Sequence, residues 1–135
     1  MSEQRRELKE RTKAFALRVI RMYSALPKSS AVAQVLGGQV LRSGTSVGPN
    51  YREASRGRSK AEFSSKIGDG LKEIEETEDW LELLADSGCL APPKLANLPD
   101  ETRQLIAIFT TISKRSKNDL GSTSINLHQP SAFSL

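Results

Sequence analysis

Apolar residues return three, four or seven positions apart along four stretches of the chain, and no stretch alternates apolar with polar residues as a half-buried strand does. The first stretch covers about Gln4 to Ala25. Leu8, Phe15, Val19, Met22 and Leu26 form its stripe, and Pro27 stops it. The second begins after Ser29 or Ser30, either of which suits a helix N-cap. It carries Val32, Val35, Leu36, Val40 and Val47, and ends between Ser55 and Gly57. The third opens on a capping-box pair, Ser59 and Glu62. Phe63, Ile67, Leu71, Ile74, Leu81 and Leu84 follow, joined by Trp80, and Ser87-Gly88 closes it. The fourth has Pro99 in its first turn, then Leu105, Ile106, Phe109 and Ile112, and fades near Lys117.

Short links between consecutive helices favour antiparallel neighbours. The pattern therefore predicts an all-α fold, an antiparallel up-down-up-down four-helix bundle over residues 1–117. The Ser- and Asn-rich segment 118–135 reads as a flexible C-terminal tail. No internal repeat or second domain is visible.

Composition changes this picture in two ways. Aromatic residues are only 5% of the chain, so the core is aliphatic and thin, and association with other copies adds stability. The net charge of +4 permits attraction to polyanions without requiring it. Cys89 is the single cysteine, which excludes an internal disulfide and fits a reducing cytoplasm. The charged start of the chain is unlike a signal peptide, and no apolar run is long enough to span a membrane.

The charge is unevenly placed. Glu73, Glu75, Glu76, Glu78, Asp79, Glu82 and Asp86 follow one another with no Lys or Arg between them. In an antiparallel bundle the start of helix one, the end of helix two, the start of helix three and the end of helix four share a pole. That pole gathers Arg5, Arg6, Lys9, Arg11, Arg52, Arg56, Arg58, Lys60, Lys114, Arg115 and Lys117, offset by Glu3, Glu7, Glu10, Glu53, Glu62 and Asp119. At the other pole, where Arg18, Arg21 and Lys28 also lie within pairing reach, the acids oppose their own helix dipole, so they call for partners from a neighbouring helix or a neighbouring subunit. The plain alternative is a solvated surface, with Arg58, Glu62 and Lys66 satisfying one another at i, i+4 spacing.

One segment of helix two breaks the helical rules. Gly44, Thr45, Ser46, Gly48 and Pro49 all lower helix propensity. Two readings stand. Small side chains let two backbones approach closely. Alternatively the segment is a surface for a subunit or a phosphate, with hydroxyls from Ser43, Thr45 and Ser46 and charge from Arg42 and Arg52.

Catalytic chemistry is poorly represented. The only histidine, His128, lies in the tail, no phosphate-cradling glycine loop is present, and the Glu-x-x-His pattern of carboxylate metal bundles is missing. The expectation is no catalytic residue, no metal and no cofactor. Trp80 reads as core or interface. Tyr51, between Asn50 and Arg52, reads as packing, with base stacking the lesser alternative.

The runs Leu26-Pro27-Lys28-Ser29, Arg42-Ser43-Gly44-Thr45-Ser46-Val47-Gly48, Asn50-Tyr51-Arg52-Glu53-Ala54, Ser59-Lys60-Ala61-Glu62-Phe63 and Glu75 through Leu84 closely resemble the bacterial four helix bundle family, also called the 23S rRNA intervening sequence protein family. The resemblance covers roughly residues 5 to 117. It implies a four-helix bundle assembling as a ring-like homo-oligomer, a homopentamer. It further implies kinship with proteins encoded inside 23S rRNA genes and with a retroelement accessory protein that binds nucleic acid and a reverse transcriptase. Pro49, where the family pattern has alanine, and Gly68 and Gly70 inside helix three depart from it.

In such a ring the small-residue face of helix two meets the next subunit, with Ser43, Gly44, Val47, Tyr51 and Trp80 as interface residues. Arg5, Arg6, Lys9, Arg42, Arg52, Arg56, Arg58, Lys60, Lys114 and Arg115 then form the nucleic-acid surface, repeated around the ring. Two functions remain open: a non-enzymatic binder of RNA or DNA, and a self-assembling adaptor for a protein partner.

Overall fold

The computed structural model describes residues 2–95 and 97–128, the side chains of 92 and 122–128 excepted. The described residues are all-helical, with α1 Glu3–Ser24, α2 Ala31–Ser55, α3 Lys60–Asp86, α4 Pro92–Leu95 and α5 Leu98–His128. No strand occurs among them.

Local chemistry sets most of the boundaries. Ser30 caps α2 by accepting the Ala33 N–H at 3.1 Å. Ser59 caps α3 by accepting the Glu62 N–H at 3.1 Å. The reciprocal half of the box is shifted by one residue, because the Glu62 carboxylate accepts the N–H of Arg58 at 2.6 Å rather than that of Ser59. Past α3, Gly88 takes φ +77°, the left-handed conformation that glycine adopts without a Cβ penalty.

Two expectations change. The proline-rich link contains a single turn, α4, that the pattern does not announce. The last helix continues past Lys117 to His128, so part of the expected tail is helical. Residues 129–135 of that tail lie outside the described residues.

α2 packs against α1 and α3, and α3 packs against α5, whereas α1 and α5 touch only lightly. Contacts run in opposite order along the two helices of each packed pair. Gly37 approaches Leu26 and Gly44 approaches Val19 between α2 and α1. Ser43 meets Thr77 at 2.7 Å and Glu53 meets Lys66 at 2.9 Å between α2 and α3. Ser64 meets Ser116 between α3 and α5.

The core is largely aliphatic with three aromatic anchors, Phe15, Tyr51 and Phe109. Phe15, Val19, Val40, Val47, Ile67, Ile74, Leu84, Leu105 and Phe109 are fully buried. Tyr51 stands edge-on to Phe109, with ring centroids 5.9 Å apart and an interplanar angle of 64°.

The small-residue segment of α2 serves this packing, which corrects the expected subunit interface. Ser43, Gly44, Val47 and Tyr51 are buried inside the single chain. A Cβ on Gly44 would lie 2.8 Å from Val19 Cγ2, so glycine is what lets α1 and α2 close together. The hydroxyls of Thr45 and Ser46 donate back to the carbonyls of Leu41 and Arg42, at 2.6 and 2.7 Å, and that of Ser43 is enclosed between the Gln39 carbonyl at 2.9 Å and the Thr77 hydroxyl at 2.7 Å, so all three are engaged within the chain. The helix runs unbroken through Pro49, whose ring is exposed.

Candidate nucleic-acid interface

Because α1 and α5 touch only lightly, an open groove of about 1240 Å³ lies at the end where α1 begins. The start of α1, the end of α2, the connection Gly57–Ser59, the start of α3 and residues of α5 from Ala107 to Asp119 line it. Its apolar lining includes Leu8, Tyr51, Ala54, Phe63, Ile108 and Ile112. Its basic lining is Arg5, Arg11, Arg58, Lys60 and Arg115, against Glu7 and Asp119.

The groove therefore brings together the three sequence segments whose basic residues were expected to meet. Arg5 comes from α1, Arg58 and Lys60 from the α2–α3 junction, and Arg115 from α5. The side chains of Arg58, Lys60 and Arg115 are exposed and form no ion pair with any described residue. Arg5 lies over the ring of Phe63, its guanidinium carbon 5.5 Å from the ring centroid.

The other candidates divide. Arg56 and Lys114 are exposed, and Lys9 and Arg52 are half-buried, all outside the groove lining. Arg6 is exposed and pairs with Glu3 at 3.3 Å. Three of the acids expected to offset this end are engaged: Glu3 with Arg6, Glu53 with Lys66, and Glu62 with the Arg58 N–H.

Arg42 does not belong with this group. Its guanidinium donates to Glu76 at 2.6 Å and to Glu73 at 3.4 Å, midway along α2 and α3. The hydrogen bond it donates to Glu76 above all holds Arg42 more firmly protonated than usual. A guanidinium already held by two carboxylates has little charge to offer a phosphate. The same pairing meets, for two of the acids, the expectation of partners on a neighbouring helix. Glu73 and Glu76 find their partner on α2, while Arg18, Arg21 and Lys28 form no ion pair among the described residues.

Arg11 is likewise occupied. It grips Glu101 through Nε at 2.8 Å and Nη2 at 2.9 Å, and Gln104 at 2.7 Å. The hydrogen bonds to Glu101 above all raise its pKa. Arg11 is thus a tie between α1 and α5 beside the groove.

Sequence reasoning missed Phe63 as a groove residue. It stands in the apolar stripe of α3 and reads as core, yet it is half-buried beneath Arg5. Arg5 and Phe63 are remote in sequence, so no local pattern signals their contact. Trp80, the remaining interface candidate, is half-buried against the core.

The sequence pattern of the 23S rRNA-intervening sequence protein family matches residues 4–111. The chain belongs to this family. A crystal structure of a protein of unknown function from the S23 ribosomal protein family of Bacteroides thetaiotaomicron is similar to it, at 33% sequence identity and a TM-score of 0.73. That similarity covers 82% of this chain and 97% of the other. No curated protein matches the chain. No helix among the described residues is long and apolar enough to cross a membrane.

Proposed function

We propose that this family member folds as an up-down-up-down four-helix bundle, associates into a ring-like homo-oligomer, and binds RNA or DNA through its basic end without catalysis. The observation that carries the reading is the convergence of Arg5, Arg58, Lys60 and Arg115 on one groove, with no carboxylate gripping the last three among the described residues. Phosphate contacts of this kind are independent of sequence and release counterions. Homopentamer is the stoichiometry that the family resemblance implies, and repetition of the groove around a ring would multiply a modest charge by avidity.

Fluorescence anisotropy of a labelled RNA at low salt tests this. Binding should weaken linearly in log–log form with added salt. Replacing Arg58, Lys60 and Arg115 together with Ala should lessen that slope by about 2 to 3 units. Absence of binding at low salt removes the nucleic-acid role.

A second reading, the protein-binding adaptor, draws on a different observation. Val32, Val35 and Leu83 are 54%, 65% and 51% exposed on α2 and α3. These helices pack in opposite order, which sets the start of α2 and the end of α3 at the end of the bundle away from the groove. Exposed apolar side chains at that end suit a protein surface, whether another copy or a partner. Native mass measurement with and without nuclease separates self-assembly from co-purifying nucleic acid.

A further inference from the structure

The groove pairs two features that a duplex would not use together, an apolar floor and a cationic rim. Duplex nucleic acid presents phosphates outward and keeps its base faces stacked inside. Laid across this groove, a duplex would meet the rim and leave Phe63, Ile108 and Ile112 facing water. A single strand has separable parts. Its phosphates follow a basic edge while its unstacked bases turn onto an apolar or aromatic surface. Arg5 over Phe63 already makes a cation–ring stack within the lining, 5.5 Å from guanidinium carbon to ring centroid. Guanidinium planes and phenyl rings both stack on bases of any identity.

We infer that the groove is a single-strand site, in which unpaired bases stack on the Arg5–Phe63 platform while Arg58, Lys60 and Arg115 hold the flanking phosphates. The inference rests on the nucleic-acid reading above and narrows it to one class of ligand. The excess of unpaired cations on the rim is the complement of a polyphosphate backbone. The apolar floor is the complement of exposed bases. Tyr51 takes no part in the stacking, since its ring is buried against Phe109. The bases are recognised by their faces, so the site discriminates little among them.

Three labelled probes distinguish the outcomes with the intact protein: an oligouridylate of about 12 nucleotides, within the ~4–16-nucleotide reach of known single-strand sites; an abasic strand of equal length and charge; and an RNA duplex of equal length. The oligouridylate should bind at least about tenfold more tightly than either other probe at matched salt. Phe63→Leu keeps apolar volume and removes the ring. It should weaken oligouridylate binding by at least about fivefold, the low end of one base–aromatic stack, and leave the salt slope unchanged. The abasic comparison needs no variant, so it stands even where Phe63→Leu disturbs folding. Abasic or duplex binding as tight as the oligouridylate overturns the single-strand inference and leaves the polyanion reading intact. No binding of any probe overturns both.

Discussion

Gly68 and Gly70 are two residues apart on α3 and differ in what a side chain would meet. A Cβ on Gly68 points into open space, whereas one on Gly70 would lie 2.9 Å from Phe109 Cε2. Phe109 is fully buried and has no room to retreat. Gly68→Ala should therefore raise stability by about 0.5–1 kcal/mol through helix propensity. Gly70→Ala should lower it, because overpacking costs about 1–3 kcal/mol and outweighs the same gain. Urea unfolding of the two variants checks the pair. Tyr51 is a second residue-level case. Burial above all pushes its phenol up from the ordinary 10.0. An acid held in its neutral form contributes stability in full below the unfolded-state value and loses it as pH rises through the folded one. Stability should decline above pH 10.0, and Tyr51→Phe should flatten part of that decline. The sequence marks Gly68 and Gly70 alike, as helix weakeners. Only the position of Phe109, on another helix, tells them apart.

At the scale of elements, the helices and their starts were legible because caps and stripes act over one or two turns. Ser30, Ser59 and Gly88 all stand where their types lead one to look. Two elements were not legible, for different reasons. One turn such as α4 is too short to show a period. The continuation of α5 past Lys117 carries no apolar stripe, and an established helix propagates through polar residues at little cost per residue. The α1–α5 pair is far less packed than α1–α2, α2–α3 or α3–α5, and the bidentate Arg11–Glu101 link spans it. Both side chains are partly solvated, so the link is modest despite its geometry. Arg11→Ala should cost about 1 kcal/mol in chemical denaturation, and Glu101→Gln somewhat less because one hydrogen bond survives.

For the whole molecule, the exposed apolar residues and the buried small ones predict opposite effects on assembly. Ser43→Ala removes a hydroxyl enclosed within one chain, so it should lower stability by about 1 kcal/mol and leave native mass unchanged. Val32→Lys with Val35→Lys alters only the outer surface of α2, so under the proposed association through these exposed residues it should lower the native mass to that of one chain, while helix content by circular dichroism stays the same. The sequence by itself determined the helical class, the starts of the long helices, and the gathering of basic residues at one end. Period, caps and chain reversal are short-range properties that a linear pattern encodes. Tertiary structure alone decided which of those cations are spent and which are free. It paired Arg42 with Glu73 and Glu76, tied Arg11 to Glu101, turned Ser43 and Gly44 inward, and opened the groove beneath Arg5. Each of these depends on distances between residues far apart in the chain, and in the Coulomb and packing energies that separate a held charge from a free one, an ångström in space outweighs any spacing in sequence.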